Sequence, residues 1–403
     1  VTPNPAPTRL LPLIWSVPLY RAAFISLFIS GFAFASTTPL LTKFLVDHLD
    51  VSLPVASLFY LTNLAVPVAG VILGRYSDIM SGRMPLMRWC TVATAIGWLA
   101  MAVVTHLWMA LIISATAFGI GSASIAILFA ALRDEMSFHP TRLDTRLMTT
   151  IRLAYTGGWI AGPVYGGWFS DRFDLRALFL VASVIHLLSI VPVLKLNPPR
   201  FVNLVTLPTS LGKAASASGL LPLILFAILC TIALSGNNVK FSFLPIYAND
   251  DLRISAAVVG TILAIQPVFE VIAMIIFGML ADRFGALPMI ATSILIGTSS
   301  YAVFAISESA PGLFAAQILG AALNAAVIGL GIVVAQEIYP RGVGLASSVF
   351  YSSIGVSSTL GGLVGAAGVA RFGLPGVFYV PAILCLLVFA GMLLLAPMLR
   401  KPA

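Results

Sequence analysis

Charge is scarce in this chain. Only 9% of its 403 residues are Asp, Glu, Lys or Arg, 60% are hydrophobic, and the mean hydropathy is +1.04. A sequence this poor in charge cannot be wrapped around one aqueous core, which excludes an ordinary soluble globular protein. Cysteine is scarce as well. Cys90, Cys230 and Cys385 fall in or beside apolar segments, so they read as packing residues and not as a disulfide or metal framework. His186 and His106 have no second ligand at metal spacing; a satisfied or an exposed histidine is expected of each, and no metal. No G-x-x-x-x-G-K-[ST] segment is present to cradle a nucleotide phosphate, and Gly119-Ile120-Gly121 follows no strand, so it is not a dinucleotide loop. No enzyme signature remains, and no cofactor is expected.

What is present is a series of apolar runs, each long enough to cross about 30 Å of hydrocarbon at ~1.5 Å per residue. Twelve recur, at 18–46, 54–74, 86–105, 108–132, 147–169, 176–195, 220–248, 255–279, 287–306, 311–336, 342–369 and 376–399. They are continuous, whereas barrel strands would alternate apolar and polar residues, so the expected fold class is an all-α membrane protein. Val1 to Tyr20 has several prolines and no cleavage-site pattern, and reads as a retained tail whose Leu10-Leu11-Pro12-Leu13-Ile14-Trp15 can lie along the membrane interface. Threading the spans alternately with the N-terminus inside puts sixteen basic residues inside, among them Arg75, Arg83, Arg133 and Arg283. Only Lys43, Arg172, Arg176, Arg253 and Arg371 fall outside. Both termini are therefore expected on the cytoplasmic side. The formal charge of +8 is mostly topogenic and faces anionic lipid, so the bilayer and not a nucleic acid is the expected partner.

The longest weakly hydrophobic interval, 195–219, carries Pro198-Pro199-Arg200, Lys213 and Ala214-Ala215-Ser216-Ala217-Ser218-Gly219. It divides six spans from six, giving an N-terminal bundle at 1–194, a cytoplasmic linker at 195–219 and a C-terminal bundle at 220–403. Offsets of 204 or 205 residues relate Asp78 to Asp282, Ser30-Gly31 to Ser235-Gly236, and Arg133 to Glu337. Together they indicate two parallel, pseudo-symmetric six-helix bundles, an architecture whose solute site lies between the halves near mid-membrane.

Gly278-Met279-Leu280-Ala281-Asp282-Arg283-Phe284-Gly285, after span eight, resembles the G-x-L-A-D-R-x-G loop signature of the major facilitator superfamily, and the resemblance covers all twelve spans. In physical terms Gly permits close helix approach, and an Asp at a helix end can engage a neighbouring helix N-terminus or an Arg. The first copy, Gly74-Arg75-Tyr76-Ser77-Asp78, departs by one residue before Gly82-Arg83, which leaves Asp78 a firmer assignment than Arg83. Gly158-Trp159-Ile160-Ala161-Gly162-Pro163-Val164-Tyr165-Gly166-Gly167 resembles the G-x-x-x-G-P-x-x-G-G motif that accompanies exporters working by exchange. Gly158, Gly162 and Gly166 make a stripe for close helix packing and Pro163 supplies a kink. A common drug exporter would carry an Arg where this chain has Ala115, four residues before Gly119. Four short stretches instead look like the sugar efflux transporter family. They are Leu58-Phe59-Tyr60 with Asn63, Ala131-Leu132-Arg133-Asp134-Glu135, Leu244-Pro245-Ile246-Tyr247, and Gln336-Glu337-Ile338-Tyr339-Pro340.

Glu270 stands eight residues before Gly278, about 12 Å from that end of its span at ~1.5 Å per residue. A carboxyl there is costly unless it faces a wet cavity or a partner, and such a group can carry a proton. Its alternative is a structural carboxyl, paired or permanently protonated. Gln266 shares its helix face. Asn63 in span two, Asn237 and Asn238 in span seven and Asn324 in span ten add amide forks that suit hydroxyl-rich ligands, or that hydrogen-bond between helices. In span five Arg152, Tyr155 and Trp159 recur at i, i+3 and i+7; the aromatic pair can cover a sugar ring or fill space, and Arg152 can snorkel or pair with Asp134 or Glu135. Lys240, in the outer third of span seven, is expected to snorkel; the alternative is a gate in which it pairs with Asp47 or Asp250 on the outer side and closes one state.

The resemblance and these residues imply a bacterial inner-membrane secondary transporter, expected to be monomeric. It would export a sugar or sugar-like small solute against proton entry by alternating access, with the proton gradient as energy source. Glu270 is the expected proton site. Tyr60, Asn63, Tyr155, Trp159, Asn237, Asn238, Gln266 and Asn324 are expected to line the solute site with it. Asp78, Arg83, Arg133, Asp134, Arg152, Asp282 and Arg283 are the expected gating groups. A proton-coupled multidrug exporter and a low-turnover ligand-sensing membrane protein are the alternatives.

Overall fold

The apolar runs fold as helices because a backbone surrounded by hydrocarbon must satisfy its own N–H and C=O groups. The computed structural model describes residues 10–80, 82–141, 143–198 and 217–400, so residues 1–9 of the tail and 199–216 of the linker lie outside the described residues. Ten helices are long and apolar enough to cross a membrane among the described residues. They are α1 (Pro18–Leu49), α2 (Leu53–Ile79), α4 (Leu107–Phe138), α6 (Leu175–Val193), α7 (Leu220–Asp251), α8 (Ala256–Phe284), α9 (Ala286–Ile306), α10 (Ala310–Ile338), α11 (Leu345–Gly376) and α12 (Tyr379–Met398). Two more, α3 (Met84–Ala102) and α5 (Asp144–Ser170), occupy the places of the third and fifth expected spans. Large apolar side chains such as Ile72, Ile275, Leu387 and Leu394 face outward, which in a helical protein of this composition is the surface lipid covers. The chain is a multi-pass all-α membrane protein.

Its contacts gather into two compact units, residues 1–38 with 65–209 and residues 39–64 with 210–403. Pairing inside them repeats. In the first unit α1 packs on α5 and α3 on α6; in the second α7 packs on α11 and α9 on α12. The first core is built around Leu27, Met87, Leu128, Leu132 and Ile151. Leu13 and Ile14 of a short helix, Leu10–Ser16, are buried in it, while Leu11 and Trp15 stay exposed. The second core is more aromatic, with Phe226, Phe243, Tyr301, Phe304, Phe350 and Phe378.

The two boundaries that isolate residues 39–64 fall at irregular helix. α1 tightens to a 3-10 turn at Thr38–Leu40 and α2 at Phe59–Leu64, so residues 39–64 form a hairpin belonging to the second unit. There Ser57 Oγ donates to the Gly362 carbonyl at 2.9 Å, and Asn63 Nδ2 donates to Ser358 Oγ, both on α11. Two glycine features decide local geometry. Gly285, at φ 88° and ψ 153°, ends α8 and opens α9 in one residue, a conformation nearly closed to other residue types. Along α5, an added Cβ at Gly158, Gly162 or Gly166 would meet the Phe28, Phe32 or Ser36 carbonyl oxygen of α1 at 2.4, 2.6 or 2.1 Å, so only a bare α-carbon fits this crossing.

Candidate functional site

Three helices of the second unit bring their intramembrane polar residues to one place. α7 supplies Asn237 and Lys240, α8 supplies Gln266 and Glu270, and α10 supplies Asn324. Lys240 Nζ donates to Gln266 Oε1 and, at 3.3 Å, to Asn237 Oδ1. Asn237 Nδ2 donates to Asn324 Oδ1 at 2.5 Å, and Asn324 Nδ2 reaches Glu270 Oε2 at 3.5 Å. Gln266 and Asn324 are buried, and Lys240 is only 2% exposed. Pro267 sits inside α8 between the two site residues of that helix; lacking an N–H, it frees a carbonyl of the preceding turn. Snorkelling for Lys240 is therefore corrected: its stem runs into the bundle, where amide oxygens replace the water its ammonium would have sought. The outer carboxylates offered to it are taken by Lys43, whose Nζ lies 3.1 Å from Asp47 Oδ2 and 2.5 Å from Asp250 Oδ1.

Two further carboxamides on α7 and α10 keep unused hydrogen-bonding capacity. Asn238 Nδ2 and both polar atoms of the Gln317 carboxamide are buried without a hydrogen-bond partner. Gln317 lies seven residues before Asn324, on the same face of α10. The remaining sequence candidates are placed elsewhere. Tyr60 bonds Thr42 Oγ1 at 2.9 Å and, with Asn63, seats the 39–64 hairpin. Tyr155 and Trp159 belong to the first unit, where Tyr155 backs onto Gly31 and Trp159 packs on Phe34 at 5.8 Å between ring centroids. A groove of about 450 Å³ between α3 and α6, lined by Arg88, Trp89, Leu187 and Leu194 among others, shares no residue with the network. His186 is buried with its Nε2 unpartnered, contrary to the satisfied or exposed histidine expected, while His106 is exposed beside Thr105.

The gating candidates divide. At the α2 to α3 turn Arg83 Nε donates to Asp134 Oδ2 at 2.6 Å, while its Nη1 donates to Asp78 Oδ1 at 2.7 Å and Ser77 Oγ at 2.9 Å. Burial alone would lower the Arg83 pKa, but hydrogen bonds and charge from Asp134 and Asp78 outweigh it and raise it. Arg83, the weaker assignment in sequence, is thus the hub of this copy. Because Asp134 is held by Arg83, Arg152 pairs with neither Asp134 nor Glu135; it is exposed, as are Arg133, Asp282 and Arg283. Arg283 lies over the Phe284 ring at 5.1 Å, and Asp282 makes no ion pair among the described residues.

A helical membrane protein with repeated pairing in two units, and with ionisable and amide groups gathered at mid-helix, has the construction of a solute carrier. Comparison narrows the class. The Major Facilitator Superfamily model matches residues 23–247 and 225–403. A putative sugar efflux transporter of Deinococcus radiodurans is 24% identical over 94% of this chain and 97% of its own length. Sugar efflux transporter A of Dickeya chrysanthemi is 25% identical over 86% and 89%. Multidrug resistance protein MdtG of Proteus mirabilis is 24% identical over 91% and 93%. The crystal structure of the nucleoside transporter NupG matches the fold with a TM-score of 0.78 at 16% identity, over 95% of this chain and all of the other. The chain belongs to the major facilitator superfamily, and it is a transporter rather than an enzyme.

Proposed function

We propose that this transporter exports a sugar or sugar-like solute from a bacterial cytoplasm across the inner membrane, against proton entry, with Glu270 as the proton site. The observation that carries the reading is the gathering of three carboxamides, from Asn237, Gln266 and Asn324, around the carboxyl and ammonium groups of Glu270 and Lys240. Each amide offers a donor and an acceptor in fixed geometry, which is what a ligand dense in hydroxyls requires. One aromatic ring, that of Phe241, lies 4.8 Å from Lys240 Nζ, while the hydrogen bonds of the network run between amide and charged groups. The names of the sugar efflux relatives point the same way.

In this reading the solute binds from the cytoplasm while Glu270 is ionised, by competing with Lys240 and Glu270 for the amides. Proton uptake from outside then removes the carboxylate charge and favours the state that has released solute. Coupling requires that each ligand prefer a different state. The test is counterflow of a labelled disaccharide in proteoliposomes, with and without a pH difference, for wild type and Glu270→Gln. Saturable exchange that survives the substitution while pH-driven accumulation is lost is the expected result. Multidrug export is the second reading, favoured by the full-length likeness to a multidrug resistance protein. Saturable transport of an amphipathic dye, with no disaccharide movement in the same vesicles, would replace the sugar reading with it.

A further inference from the structure

Lys240 and Glu270 are the two charged side chains of α7 to α12 that stand away from helix ends, and a directional hydrogen-bond chain joins them. Lys240 can only donate and an ionised Glu270 can only accept. The ends therefore fix both amides between them: Asn237 turns its oxygen to the ammonium and its NH2 to Asn324, and Asn324 turns its oxygen to Asn237 and its NH2 to the carboxylate. Two amide dipoles align head to tail between a cation and an anion that make no direct ion pair. Among the described residues, no other amine or carboxylate hydrogen-bonds to the chain. On the helices packed against α7 and α8, the remaining titratable groups are phenols, a thiol, or charges at helix ends. Tyr301 of α9 and Cys385 of α12 sit at Gly236 and Ala233, Tyr351 of α11 is exposed, and Tyr60 is bonded to Thr42. Lys43, Asp47, His48 and Asp250 cluster at the end of α7, Glu308, Glu337 and Arg371 lie at the ends of α10 and α11, and Asp282 and Arg283 end α8.

We propose that Lys240 is the resident counter-charge of Glu270, coupled to it through Asn237 and Asn324. The site is then neutral while Glu270 is ionised, the state that takes solute, and positive once Glu270 is protonated; it never presents net negative charge, so it selects uncharged hydroxyl-rich solutes and rejects cationic ones. The proposal rests on Glu270 being the proton site of the transport reading above. In a low-dielectric interior, removing one member of such a pair is worse than removing both, because the survivor keeps its desolvation cost without its partner.

The test is a double-mutant cycle with Lys240→Gln, Glu270→Gln and the double variant, read first as the melting temperature of the purified full chain in detergent. Each single change is expected to lower it by several degrees, and the double variant to recover most of the loss. Additive losses, or a double variant that fails to fold, overturn the proposal; singles that fail to fold beside a folded double variant support it. This readout does not depend on the solute, so it stands apart from any failure of the sugar reading. In proteoliposomes Lys240→Gln is expected to lose the wild-type pH dependence of exchange and to admit a cationic dye such as ethidium. An unchanged pH profile with continued dye exclusion overturns the proposal. Lys240→Arg, which keeps the charge, is expected to restore both.

Discussion

Arg83 shows how unequal the members of one charged group can be. Its side chain is 11% exposed and that of Asp134 12%, whereas Asp78 is 60% exposed. An exposed pair contributes about 0–1 kcal/mol, while a largely buried acid left without its cation costs about 3 kcal/mol or more. Arg83→Gln and Asp134→Asn are therefore expected to lower the melting temperature in detergent by several degrees each, and Asp78→Asn by much less. Equal effects at Asp78 and Asp134 would show that burial does not rank this triad. The same distinction explains what sequence reveals at this scale. Glu270, Gln266 and Asn324 are legible because polar groups in an apolar run are conspicuous by themselves. The inward course of Lys240 and the central place of Arg83 are not. A lysine's role depends on whether its stem points out of the bundle or into it, and Arg83 lies behind an inserted residue that spoils the motif's spacing without spoiling the triad.

Among the elements, α5 and α1 depend on each other through bare backbone. A side chain at Gly166 would place its Cβ 2.1 Å from the Ser36 carbonyl oxygen, and a backbone atom held in a helix cannot give way. Gly157, one residue round the helix from Gly158, would place its Cβ 3.5 Å from the Phe28 ring, an ordinary contact. Gly166→Val is expected to force the helices apart, at the upper end of the roughly 1–3 kcal/mol that overpacking costs, and to yield little monodisperse protein by size exclusion. Gly157→Ala is expected to behave as wild type; similar losses from both would mean that helix propensity, not proximity, sets the requirement. The four-residue glycine spacing is readable in the sequence, but the identity of the facing helix is not, because any of eleven others could lie against that stripe. The 3-10 turns at Thr38–Leu40 and Phe59–Leu64 are hidden for a related reason. A change of winding inside a span leaves no gap in hydrophobicity.

For the whole molecule, the duplicated halves and the compact units are different divisions of the chain. Duplication is written in the matched offsets and in the repeated pairing of α1 with α5 and α7 with α11. The assignment of residues 39–64 is written in contacts that no periodicity reports, chiefly Ser57 to the Gly362 carbonyl, Asn63 to Ser358, and Lys43 to Asp250. Leu53 packs against the second core as well, so a fragment beginning at residue 210 lacks part of its own apolar cover and loses hydrogen-bond partners along α11. Such a fragment, 210–403, is expected to be degraded in the membrane when expressed alone, and to accumulate when residues 1–209 are supplied as a second polypeptide. Protease resistance in isolated membranes measures the difference directly. Accumulation of 210–403 alone, with the resistance of the full chain, would mean that the hairpin rests on a unit already complete without it.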